Sequence, residues 1–142
     1  MKNKTFDFHG SKFTIKTLTA ESNNKHTVLD IVHASNIGPA LHTHPRGPET
    51  FCVLEGNYEF ILNDQSILAK TGDVICVPTG TPHRFVTGKN GGRVIVISPP
   101  NLEFYFWKVS KLLEKGTVSH EQESQIAGKY GQIFLDDINH WT

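Results

Sequence analysis

From Thr5 to Ser98 the chain is a succession of short runs rich in Val, Ile, Phe and Thr, broken by clusters of Gly, Pro, Asn and Asp, with no helical period. Each strand of a small all-β sandwich or barrel crosses the core once and turns back within a few residues, which is the pattern seen here. Strands are expected at Phe6–Phe8, Phe13–Leu18, Val28–Ala34, Ala40–His44, Thr50–Leu54, Tyr58–Leu62, Gln65–Ala69, Val74–Val77, His83–Thr87 and Arg93–Ser98. Gly56 reads as part of a tight hairpin with a two-residue Glu55-Gly56 loop, setting Val53 opposite Tyr58 and Phe51 opposite Phe60. The polar run Gly88-Lys-Asn-Gly-Gly92 reads as a second hairpin loop.

After Pro99-Pro100 the pattern changes. Leu102, Tyr105, Phe106, Val109 and Leu113 recur at spacings of three and four, which predicts an amphipathic helix beginning at Asn101 and ending at Gly116. Ser119-x-x-Gln122 reads as a capping box that opens a second short helix running through Ala127 and stopped by Gly128. The expected organisation is one barrel domain over residues 1–100 and a helical tail over 101–142 packed on it, since 142 residues suit a single core. Plain packing is the expected role of the aromatic run Phe104-Tyr-Phe-Trp107.

Within the strand-rich part lies His42-x-His44, followed by Glu49 and later by His83. Side chains two apart on a strand share a face, so both imidazoles of the first pair point the same way. Pro45-Arg-Gly-Pro48 turns the chain and brings Glu49 back at the head of the next strand, where alternation gives it the same inward face as Phe51 and Val53. Pro78-Thr-Gly80-Thr-Pro82 cannot continue a ladder, because its two prolines lack an amide donor; it bends, and His83 emerges from the bend with Phe85 on its face. Three imidazoles and one carboxylate suit a divalent transition metal, with Fe, Mn, Ni, Cu, Co and Zn all compatible. On an octahedral ion such a set leaves two positions for water, an organic ligand, or substrate with dioxygen. The other histidines, His9, His26, His33, His120 and His140, read as ordinary solvated or packing residues.

Lys plus Arg equals Asp plus Glu at 14 each, so no field of one sign attracts nucleic acid or an anionic membrane. No apolar run approaches the roughly 20 residues of a membrane span. Met1-Lys-Asn-Lys is followed by Phe6-Asp-Phe-His-Gly rather than by the apolar stretch of a secretory signal, and the expected location is cytoplasmic. Cys52 and Cys76 each sit in an apolar strand-like run and read as buried free thiols. A homodimer is expected, with the segment Lys4–Leu18 available to pair with a neighbour.

The two blocks His42-x-His44-x4-Glu49-x6-Gly56 and Gly72-x5-Pro78-x-Gly80-x2-His83 together resemble the signature motifs of the cupin superfamily, over about residues 26–98. Asn36 stands where a glycine usually precedes the first histidine, and Thr87 stands where the family often has Asn; neither is a ligand position. The resemblance implies an all-β double-stranded β-helix, the cupin jelly-roll barrel, with a metal inside and a short C-terminal helical tail. Ser98-Pro-Pro-Asn-Leu-Glu-Phe-Tyr-Phe and Ile126-Ala-Gly-Lys-Tyr-Gly-Gln-Ile-Phe-Leu look like the tail of single-domain bacterial cupins of the quercetin 2,3-dioxygenase-like type.

Three functions are in play. The first is a metal-dependent dioxygenase acting on a small enol or polyphenolic substrate, with His42, His44, Glu49 and His83 on the metal, Glu49 also acting as proton acceptor, and Phe51, Val53, Tyr58, Phe60 and Phe85 lining the substrate pocket. The second is a noncatalytic metal-containing module that binds a small molecule. The third is a metal-dependent isomerase, epimerase or lyase, because one fold hosts many chemistries.

Overall fold

The computed structural model describes residues 1–137 and 141. Among these, nine strands form an antiparallel network: β1 (Thr5–Phe8), β2 (Ser11–Thr17), β3 (Thr27–His33), β4 (His42–Thr43), β5 (Glu49–Leu62), β6 (Gln65–Lys70), β7 (Val74–Val77), β8 (His83–Ser98) and β9 (Ile133–Phe134). A 3-10 turn at Thr19–Ser22 and two helices, α1 (Leu102–Leu113) and α2 (His120–Lys129), complete the chain. No helix among the described residues is long and apolar enough to cross a membrane.

The spine is the ladder between β5 and β8. The first part of β5 pairs with the last part of β8 and with β7, whereas its second part pairs with the first part of β8 and with β6. β8 in turn offers His83 to β4 and Gly92–Ser98 to β3. Two layers result, β1-β2-β3-β8-β5-β7 and β9-β4-β8-β5-β6, joined by the two long strands that run through both. Rings from opposite layers meet between them: Phe51 lies 4.9 Å from Phe60 and 5.7 Å from Phe85. Each fully buried Phe of this kind contributes about 1.5–3 kcal/mol.

Glycine makes the passage from layer to layer. Gly56 has φ +84°, and a Cβ there would lie 2.3 Å from the Gly91 carbonyl oxygen and 2.7 Å from Gly92 Cα. The β5–β8 register shifts on either side of this point. Consequently the inward face changes parity along β5, from Glu49, Phe51 and Val53 to Tyr58 and Phe60.

This corrects the expected hairpin at Glu55-Gly56. A hairpin and a bulge both change the parity, and the chain uses the bulge, so Val53 pairs with Val94 and Tyr58 with Thr87 rather than with each other. Phe51 pairs with Val96, and Phe60 with Phe85. Gly88–Gly92 likewise is no hairpin loop but the irregular middle of one continuous β8. The thiols also depart from expectation: Cys52 is half-buried and Cys76 exposed, because both lie on the face opposite Glu49, Phe51 and Val77.

In the tail, α1 covers β1 through Phe8 against Tyr105 at 5.7 Å and Phe106 at 5.1 Å and through Phe6 against Trp107 at 5.3 Å, and meets β2 through Phe13 against Phe106 at 4.9 Å. Asn101 occupies the N-cap position of α1 without a side-chain cap bond. Ser119 caps α2 by accepting from the Gln122 amide. Gly128 does not stop that helix, which runs on to Lys129 because no positive φ is needed there. Nor is the tail wholly helical: β9 pairs with β4, placing Phe134 beside His42.

Candidate metal centre

The four motif residues arrive from both layers. His42 opens β4 and pairs with His83, the first residue of β8, while Glu49 opens β5 in the facing layer. His44 follows β4 and is fixed by its carbonyl, which accepts from the Gly80 amide at 2.9 Å, so the bend before His83 braces the His-x-His segment. All four are buried, none more than 5% exposed. One ligand-capable atom from each can be chosen so that all lie within 4.8 Å of one another.

Hydrogen bonds outside the cluster assign the protons. His42 Nδ1 faces the Ala40 carbonyl at 2.7 Å and His83 Nδ1 faces the Thr81 carbonyl at 2.8 Å. A carbonyl only accepts, so both Nδ1 atoms carry hydrogen, and a ring with no second proton presents its Nε2 lone pair. Burial, then the neighbouring His83 and His44, hold His42 well below its usual range and keep it neutral. Ser98 Oγ donates to Glu49 Oε2 at 2.9 Å, leaving Oε1 toward the histidines. Burial pushes the Glu49 carboxyl up, but His44 and then His83 beside it outweigh this and hold it well below the usual carboxylate range.

Glu49 Oε1 lies 3.2 Å from His44 Nε2 and 3.3 Å from His83 Nε2. For His83 this sets a nitrogen lone pair against a carboxylate oxygen, an arrangement that needs a positive charge, either a second ring proton or a metal ion. Two ligands bound at about 2.0–2.2 Å to one ion stand roughly 3.0–3.5 Å apart, depending on the angle between them. These two separations fall in that interval, and the donor set is one that transition metals take. The residues present therefore fit a divalent metal, and the hydrogen bonds to Ala40, Thr81 and Ser98 are the kind that orient ligands around one.

Beside the cluster is an interior cavity of ≈ 40 Å³, with His42, Glu49 and Ser98 in its wall. Phe51 and Phe85 line it too, whereas Val53, Tyr58 and Phe60 do not. Tyr105 and Phe106 of α1, with Gln132 and Trp141, cover it from the tail. His33 was grouped by its sequence with the ordinary histidines, yet it is 4% exposed and lines this cavity. The signal was present in the alternation Leu29, Ile31, His33 on β3, all facing inward. His9 instead bonds Glu123 at 2.6 Å, His120 packs on Phe134 at 5.0 Å, His26 is part-exposed, and His140 lies outside the described residues.

Buried carboxylates were not foreseen. Glu123 joins His9 Nε2 and Tyr105 Oη, each at 2.6 Å, and Glu103 accepts from the Thr19 amide and, at 2.6 Å, from its hydroxyl. Both tie the tail to the N-terminal part of the chain and so hold the cover of the cavity in place.

Residues 30–98 match the cupin domain family. No curated protein matches the sequence. Among solved structures, an RmlC-like cupin from Shewanella frigidimarina NCIMB 400 is similar at 22% identity and TM-score 0.62, over 72% of this chain and 88% of that one. KdgF from Halomonas sp. is similar at 20% identity and TM-score 0.62, over 71% of this chain and 90% of that one. The polyketide cyclase RemF from Streptomyces resistomycificus matches at 25% identity and TM-score 0.54, over 63% and 64%. The paired layers, the buried His42, His44, Glu49 and His83 group and these likenesses in fold agree with the match of residues 30–98 to the cupin domain family.

Proposed function

We propose that this protein is a metal-dependent cupin enzyme, a dioxygenase whose substrate is a small enol. The observation that carries the reading is the buried three-histidine, one-glutamate group beside a cavity of ≈ 40 Å³. Pockets for drug-sized ligands run to about 300–1,000 Å³, so the cavity favours a substrate of few atoms over a flat polyphenol. His42, His44, Glu49 and His83 would hold the ion, which supplies polarisation of a substrate oxygen and, for a redox-active metal, reactivity toward dioxygen.

The chain's own groups do the rest. Glu49 Oε1 accepts the enol proton, while Ser98 holds Oε2 and keeps the carboxylate from turning away. Phe51, Phe85 and Phe106 exclude water from the reacting atoms. A carboxylate so placed serves proton abstraction without dioxygen equally well. A metal-dependent isomerase or lyase is therefore the second reading, and solved structures similar in fold include a nucleoside dehydratase, Pac13, at 22% identity and TM-score 0.53.

Oxygen uptake separates the two. Protein reconstituted in turn with Fe, Mn, Ni, Cu, Co and Zn is offered small enols, 2-oxo acids and flavonols under an oxygen electrode. Uptake with an enol supports the dioxygenase. Carbon-bound deuterium exchange in D2O without uptake would establish the second reading in its place.

A further inference from the structure

The wall of the cavity contains a hydrogen-bond donor that the metal centre does not use. His33 Nδ1 lies 2.7 Å from Tyr58 Oη, and His33 Nε2 is buried with no partner among the described residues. Burial lowers the His33 pKa to about 3, so the ring is neutral and carries one proton. Tyr58 Oη has no other partner among the described residues, and burial raises its pKa, so it keeps its proton. If His33 Nδ1–H donated to Tyr58, two buried groups would be stranded, the tyrosine proton and the Nε2 lone pair. If Tyr58 donates to Nδ1, only Nε2–H lacks a partner. Each stranded polar group costs about 1–3 kcal/mol, which decides for the second arrangement.

His33 is therefore a donor, through Nε2–H, in a cavity whose wall also contains His42 and Glu49. Trp141 is a second member of that wall whose ring nitrogen, a donor only, is buried without a partner among the described residues. Two unsatisfied donors in one small cavity call for a ligand rich in acceptors. Phe13 and Phe85 hold the His33 ring edge-on at 6.5 and 5.0 Å, fixing its direction.

We propose that His33 is a substrate-positioning residue, whose Nε2–H, set by Tyr58, donates to a carbonyl, carboxylate or enolate oxygen of the small molecule bound beside His42 and Glu49. The substrate class is then a small oxygen acid with at least two oxygens, one toward the metal centre and one toward His33. The proposal rests on the functional reading above in taking the cavity as the substrate site. The proton assignment does not depend on it.

Two measurements test it. A long-range 15N–1H spectrum of the metal-free protein reports the His33 tautomer: Nε2–H is expected, with a change on Tyr58→Phe, and an Nδ1–H tautomer overturns the proposal. Zinc-loaded protein is then titrated with oxalate, which offers oxygens at both ends, and with azide, which offers the metal one end only. His33→Phe should weaken oxalate about tenfold or more while leaving azide within about twofold. His33→Gln, whose side-chain amide can place a donor near Nε2, should recover most of the oxalate affinity. The double variant His33→Phe/Tyr58→Phe removes the stranded tyrosine hydroxyl and should show the same split, which excludes misfolding as its cause. Equal oxalate binding by wild type and all His33 variants overturns the proposal and leaves the metal centre standing. Failure of zinc-loaded wild type to bind either probe overturns the reading of the cavity itself, and the proposal with it.

Discussion

Ser98 Oγ donates to Glu49 Oε2 at 2.9 Å, joining the last residue of β8 to the first residue of β5 across the mouth of the ligand cluster. The bond fixes which carboxylate oxygen faces His44 and His83. Partners of this kind commonly contribute about 10–100-fold to metal affinity. Ser98→Ala is expected to weaken zinc binding by about tenfold in a competition titration with a chromophoric chelator. Thermal stability of the metal-free protein should fall by only about 1 kcal/mol, the value of one buried hydrogen bond.

His33 makes stability depend on pH. The unfolded chain takes up its proton near pH 6.5, whereas the folded protein resists protonation until about pH 3. Between those values the unfolded state binds more protons, so this contribution is fully present above pH 6.5 and is lost as pH falls. The slope it adds approaches about 1.4 kcal/mol per pH unit. Urea denaturation of metal-free wild type and His33→Gln between pH 7 and pH 4 should show the shallower decline in the variant.

Gly56 and Gly72 both have positive φ, +84° and +94°, but only Gly56 is hemmed in by the β8 backbone. Gly72→Ala is expected to cost about 1–2 kcal/mol, from conformation alone. Gly56→Ala adds a clash with the backbone of Gly91 and Gly92 and should cost at least about 3 kcal/mol or prevent folding. Chemical denaturation of the two variants side by side measures the difference.

Glu123 ties His9, Tyr105 and α2 together beneath the cover of the cavity. Replacing it with Ala strands the fully buried Tyr105 hydroxyl and opens a space, at an expected cost of about 3 kcal/mol. Hydrogen exchange should quicken in α1 and in the β1–β2 hairpin before it quickens in the β5–β8 ladder, because the lost bonds belong to the tail.

What the sequence made legible was local and periodic. Alternation placed Glu49, Phe51 and Val53 on one inward face, and the prolines around Gly80 announced the bend that delivers His83. The five-residue step from Val53 to Tyr58 announced a parity change, but it has the same signature in a hairpin and in a bulge. Only the approach of Gly91 and Gly92 to Gly56 distinguishes them, and that approach is a tertiary fact. Strand β9 escaped notice because two residues carry no period, and its partner β4 lies far away in sequence. The buried Glu103 and Glu123 were illegible for the same reason: their partners Thr19 and His9 are 84 and 114 residues distant. His33 was within reach, since it continues the inward pattern of Leu29 and Ile31, but an inward histidine reads as packing until its neighbours are known.

The account stands on the four side chains at 42, 44, 49 and 83 sharing one cation. Elemental analysis of wild type, His42→Ala, Glu49→Ala and His83→Ala, each exposed to divalent metal and passed through a desalting column, tests it directly. Wild type should retain about one equivalent per chain, and each variant should lose most of it while keeping its β-sheet circular dichroism. Folded wild type that retains none, or variants that retain as much as wild type, would contradict it.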